Sequence, residues 1–178
     1  DGRVSTISFG ISHPLIRSRR ENLILRSAFV ARTAQTNSDD IELLEDQTRT
    51  IRLGVTYDKT DRFGGVMIAD VELSQGLNIG RGEEADEFPS RSDGRVDFTK
   101  AVVEVGRLQR IIPRLNLAAS VRGQYSPAGL LSSEEFAVGG SRYGRGYDPA
   151  EISGDNGVAG KVELQYSPPV QIDGLDRL

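Results

Sequence analysis

Arg145 is the residue whose setting asks most clearly for chemistry. It stands between Gly144 and Gly146 and just before Tyr147, in a loop entered through Gly139 and Gly140 and left through Gly154-Asp155-Asn156-Gly157. Glycine lets the backbone take positive φ or come close to other groups, so such a loop can fold tightly around one long cation. A guanidinium held there needs carboxylate or carbonyl partners, because an unpaired buried charge costs roughly several kcal/mol. In an exposed hairpin loop the same arginine is simply solvated, and composition alone favours that arrangement.

Other candidate chemistries fall away on inspection. His13 is the sole histidine and cysteine is absent, so histidine triads, thiolate metal sites and disulfide scaffolds have no residues to work with. No phosphate-loop glycine motif ending in Lys-Ser or Lys-Thr occurs. Asp70 and Glu72 stand two apart, and paired carboxylates can serve acid-base catalysis, but on one strand face they more simply line a wet lumen. The carboxylates of 39–46 lack EF-hand spacing and read as a solvated loop. Asp155 between glycines reads as hairpin turn chemistry rather than half a calcium loop. No enzyme, metal or cofactor is expected.

The elements that would position Arg145 are strands. After the loop, Gly160, Val162, Leu164 and Tyr166 alternate with Ala159, Lys161, Glu163 and Gln165, the period-2 pattern of a two-faced strand. The same alternation runs through 4–12, 22–33, 51–57, 67–74, 96–105 and 115–125, and 136–138 is a short apolar run. Between these, Ser12-His13-Pro14-Leu15 reads as a turn because proline denies a ladder hydrogen bond. Residues 34–49 read as a polar loop with room for one helical turn, 58–65 as a turn, 78–94 as a second long loop, and 109–114 as a short connection around Pro113. About eight consecutive antiparallel strands result, of roughly 8 to 14 residues, long for a soluble sheet.

One face of these strands is apolar. The other carries Arg26, Arg32, Arg52, Asp70, Glu72, Lys100, Glu104, Arg122, Lys161 and Glu163. A soluble sandwich could not bury that ionic set against a second sheet, whereas water inside a wide barrel can solvate it. The expected fold is therefore all-β, an antiparallel transmembrane barrel wall with apolar side chains toward lipid and Asp70, Glu72, Lys100, Glu104, Arg122, Lys161 and Glu163 toward a lumen. A mean hydropathy of −0.36 suits this, since only every second residue is apolar. No run approaches the ~20 apolar residues of a spanning helix. With 22 basic and 26 acidic residues the chain offers no nucleic-acid surface. Aromatics are 6% with no tryptophan, which makes a sparse interfacial girdle.

The order Phe-x-x-Gly-Gly at 136–140, Arg-Gly-Tyr at 145–147, Gly-Asp-x-Gly at 154–157 and Glu-Leu-x-Tyr at 163–166 resembles the signature of the ShlB/FhaC/HecB outer-membrane transporters. These are the pores of two-partner secretion, within the outer-membrane insertase superfamily. His13-Pro14-Leu15 resembles a turn of the same family, a second and weaker anchor. The resemblance implies about 8 strands of a 16-stranded barrel, an N-terminal POTRA region and closing strands outside this chain, and a loop over 139–157 folded into the lumen. It also implies a secreted exoprotein client, an adhesin or cytolysin, as partner alongside outer-membrane lipid. The family tip carries valine where Gly144 stands, and its arginine pairs with an aspartate on a later strand, expected after Leu178. Gly146 would give the tip clearance and Tyr147 would pack beside Arg145. An insertase of the same superfamily and a soluble all-β binding module are the alternative readings. Oligomeric state is not legible.

Overall fold

The computed structural model describes residues 2–38, 41–80 and 90–168. Nine strands follow in chain order: β1 (Gly2–Arg17), β2 (Glu21–Ser38), β3 (Ile41–Thr60), β4 (Gly65–Gly76), β5 (Thr99–Ile112), β6 (Leu115–Tyr125), β7 (Phe136–Val138), β8 (Ile152–Gly154) and β9 (Gly157–Tyr166). Seven of them form one antiparallel sheet in the order β1-β2-β3-β4-β5-β6-β9, while β7 and β8 pair as a separate small ribbon. The short apolar run 136–138 is thus a strand, but not a strand of the wall.

Register explains why the alternation matters. Leu25, Val55, Val71, Val103, Gly123 and Val158 stand side by side across six strands, and Ala69, Val105, Val121 and Gly160 form the next row. The intervening rows read Thr56, Asp70, Glu104 and Arg122, and Arg52, Ser74 and Lys100. A slip of one residue would exchange the two sets, so the two-faced chemistry fixes the pairing. The apolar face is open: Phe9 is 77% and Leu53 is 53% exposed. Among the described residues no second sheet covers it. A contiguous apolar surface of this kind is stable only against lipid or a partner, and the wall strands, of 10 to 20 residues, reach or exceed the ~9 to 11 that cross the hydrocarbon layer. The buried apolar side chains lie elsewhere: Phe98, Leu130, Leu131, Phe136 and Tyr143, all in or beneath the segment joining β6 to β9.

Several boundaries differ from the sequence reading. Residues 34–38 and 41–49 are strand rather than loop, so β2 and β3 make a tall hairpin. Beyond the bilayer a hairpin closes its own backbone hydrogen bonds and needs no apolar face, so the alternation that marks strands fades. Asp39 and Asp40 lie outside the described residues. Glu45 and Asp46 are buried rather than solvated, and Asp46 accepts the Ser90 amide at 2.9 Å. Pro14 sits inside β1, beside a register shift between Pro14 and Ile16, and the turn comes after Arg17. At such an irregularity the ladder is already interrupted, so the missing donor is tolerated. β5 runs on to Ile112 through a register shift, and the turn after it contains Arg114 at φ 74°. The loop 78–94 falls partly at 81–89, outside the described residues.

Candidate functional site

The segment 126–156 leaves β6, folds onto the polar face of the sheet and returns to β9. Its two limbs are joined by the β7–β8 ribbon, Phe136 opposite Gly154 and Val138 opposite Ile152, which divides it into a root before the ribbon and a tip at 139–151.

The root is held by charge on both limbs. A single 3-10 turn, Ser132–Glu134, brings Glu134 down between β3 and β5, where it is 3% exposed. Its carboxylate lies 2.7 Å from Arg52 Nη2 and 2.7 Å from Lys100 Nζ. Its main-chain carbonyl accepts Lys100 Nζ at 2.8 Å and Gln124 Nε2 at 3.0 Å. Arg52 also reaches Glu72 at 3.2 Å. On the returning limb, Asp155 Oδ1 accepts the Leu130 amide at 2.8 Å and Arg91 Nη1 at 2.7 Å, and Arg91 further donates to Glu135. Burial opposes the charge on Asp155, but the Leu130 amide and the Arg91 guanidinium outweigh it and hold this carboxyl below the usual aspartate range.

The tip is held differently. Tyr143 is buried, with its hydroxyl 3.2 Å from Ser120 Oγ and 3.5 Å from Glu104. Arg142 donates to Glu104 at 2.5 Å, and Arg122 stands 3.8 Å from the same carboxylate. Arg145 pairs with Glu163 of β9 at 2.6 Å while remaining 68% exposed. Exposed pairs of this sort contribute about 0–1 kcal/mol each, so the tip's ionic tethers are light and Tyr143 is its buried contact with the wall.

The expected site residues are therefore brought together in part. Asp70 takes Arg26 and the Thr56 hydroxyl, both at 2.6 Å, and Glu72 takes Arg52, so the two carboxylates are spoken for by ion pairs along the wall. Lys161 lies 3.9 Å from Glu163 and over the Tyr143 ring. Lys100, expected to meet water, is instead buried beneath the root. Gly139, Gly140 and Gly144 have φ of 128°, 77° and 96°. At Gly139 a Cβ would also come within 2.0 Å of the Asp148 carbonyl oxygen, and at Gly157 within 2.3 Å of the Phe136 ring. Gly154 makes only ordinary contacts. Around Gly146 a Cβ would meet nothing within 4 Å, so the clearance assigned to it is not needed here; Tyr147 is exposed.

Glu134, Arg91, Arg142 and Tyr143 were not singled out from sequence. Glu134 answers Arg52 and Lys100, which flank Ser74 on adjacent strands, and that juxtaposition comes from register and not from local sequence.

Long strands, an open apolar face, an ionic face and a loop folded onto that ionic face define a segment of a transmembrane β-barrel wall. The chain belongs to the haemolysin secretion/activation protein ShlB/FhaC/HecB family, whose family model matches residues 1–176. It is similar to outer membrane transporter CdiB of Escherichia coli O6:K15:H31 (strain 536 / UPEC), 28% identical over 168 residues, covering 93% of this chain and 28% of the relative. Outer membrane transporter CdiB of Dickeya dadantii (strain 3937) is 24% identical over 151 residues, covering 82% and 27%. Among solved structures, CdiB from Escherichia coli superposes with a TM-score of 0.81 at 24% identity, over 93% of this chain and 31% of that one. CdiB from Acinetobacter baumannii gives 0.71 at 21% identity, over 95% and 30%. The chain thus spans under a third of the length of these relatives, and its place is the Gram-negative outer membrane.

Proposed function

We propose that this chain is the central wall of a pore that secretes a large exoprotein by two-partner secretion, with the loop at 139–157 lying in the lumen and Arg145 docking its tip on the wall. The observation that carries the reading is the path of 126–156. It lies on the ionic face of a sheet whose other face is bare and apolar, and it makes contact through Glu134, Tyr143 and Arg145. The names of the relatives add support, since they are outer membrane transporters. Glu163 supplies the carboxylate for Arg145 within the described residues, and the aspartate expected after Leu178 is a second partner for it once the barrel is closed. The insertase and the soluble module draw no comparable support, the second because the apolar face has no covering layer among the described residues. The test is Arg145→Ala in the full-length transporter. Secretion should be lost while the barrel stays in the outer membrane. Undiminished secretion by that variant rejects the docking role.

A further inference from the structure

The loop is fastened to the wall by two sets of contacts of very different character. At the root, one carboxylate and one carbonyl of the same residue engage three strands: Arg52 of β3, Lys100 of β5 and Gln124 of β6. Glu134 and Lys100 are nearly solvent-free, their side chains 3% and 7% exposed. Removing one partner of such a dry, multiply bonded pair strands the other charges without water, so the arrangement resists stepwise release. At the tip, Arg142 and Arg145 reach the wall through one carboxylate each and remain 60% and 68% exposed, so water can replace either bond as it breaks, and buried Tyr143 adds uncharged contacts to Ser120 and Glu104 that leave no stranded charge when they part. Between the two regions the outgoing limb passes through Gly139 and Gly140, and the returning limb through Ala150 at φ 58°, where the backbone is already outside strand geometry. The β7–β8 ribbon closes the root side of that junction.

We infer that Glu134 is a positioning residue that pins the root of the loop to the wall, so that the tip at 139–151 can leave the polar face while the root, 126–138 with 152–156, stays in place. This rests on the proposed lumenal role of the loop, but only for its consequence in secretion; the division into fixed root and releasable tip is a property of the fold and is measured separately. In place of one plug that is either in or out, the loop becomes a short flap on a fixed base, and the opening it controls is bounded by the length of the tip.

The test uses the full-length transporter in outer membranes with a reporter thiol introduced by Leu131→Cys, a position 2% exposed beneath the root. Labelling by a water-soluble maleimide is followed in three backgrounds. With the native loop the thiol should label slowly. Arg145→Ala should leave that rate within about twofold, and Glu134→Ala should raise it at least about tenfold and stop secretion. If Glu134→Ala prevents barrel assembly, Glu134→Gln, which keeps the shape without the charge, is read the same way. Slow labelling in both Glu134 variants overturns the inference, as does equally fast labelling in Arg145→Ala. Normal secretion by Arg145→Ala would count against the docking reading alone and leave the labelling result to stand.

Discussion

The two faces of the sheet are built from the same residues of the same strands, taken alternately, yet they meet opposite solvents. On one side Val71, Val103 and Val105 stand in register with apolar neighbours, and among the described residues no layer covers them. On the other, one residue away, Glu104 gathers Arg142, Arg122 and the Tyr143 hydroxyl, and Lys100 is sealed beneath Glu134. In a soluble protein the apolar side would be the inside. Among the described residues the closely packed apolar group, Phe98, Leu130, Leu131, Phe136 and Tyr143, lies on the ionic side, where the loop supplies most of a small core. The sheet is inverted as a whole, and the loop restores ordinary packing locally. Burial alone is therefore a poor guide to which side of a barrel wall faces the membrane.

The largest effect should come from placing a charge on the wrong face. Val103→Arg sets a guanidinium among acyl chains near mid-strand, and the cost on a barrel's lipid face is about 2–4 kcal/mol at the bilayer midplane. Loss of folded barrel, seen as loss of the heat-modifiable band on gels, is the expected outcome. Ala118→Arg, on the ionic face opposite Glu163, should leave that band in place. If both substitutions behaved alike, the distinction between the faces would fail.

A smaller effect separates the loop from the wall. Asp155 has its carboxyl held below the aspartate range in the folded state, so its contribution is fully present above the unfolded value of about 3.9. It is lost as pH falls through the folded value. Root protection measured by labelling of the Leu131→Cys thiol should therefore weaken only in strong acid, and Asp155→Asn should lose part of this protection already at neutral pH and flatten the acid response. The charged groups around it are Arg91, Glu135 and Asp93. Glu135 and Asp93 pair with the same Arg91.

The wall was legible in the sequence because alternation is a local property. From Leu115 to Tyr125 every second residue declares its side, and the observed strand has those bounds. At 34–38 and 41–49, where the alternation is missing from the sequence, cross-strand pairing holds the extended form, and at Glu45 and Asp46 long-range contacts bury what reads as a solvated loop. Pro14 misled because its cost is relieved at an irregularity in the ladder, which sequence does not show. Arg145 and the glycines announced a loop with a tip. Glu134 did not announce itself, since an acidic residue between serines and an apolar run looks solvated until register places Arg52 and Lys100 beneath it. Local patterning carries the faces, and the ionic contacts that fasten the loop are long-range.

The claim beneath all of this is that neighbouring side chains of one strand contact lipid and water in turn. Spin labels introduced singly at positions 101 to 106 of β5 in the full-length transporter, reconstituted in bilayers, test it directly through collisions with oxygen and with a water-soluble nickel chelate. Oxygen accessibility should peak at Ala101, Val103 and Val105, and nickel accessibility should fall out of phase with it. Profiles that rise and fall together, or that show no period of two, would contradict the account.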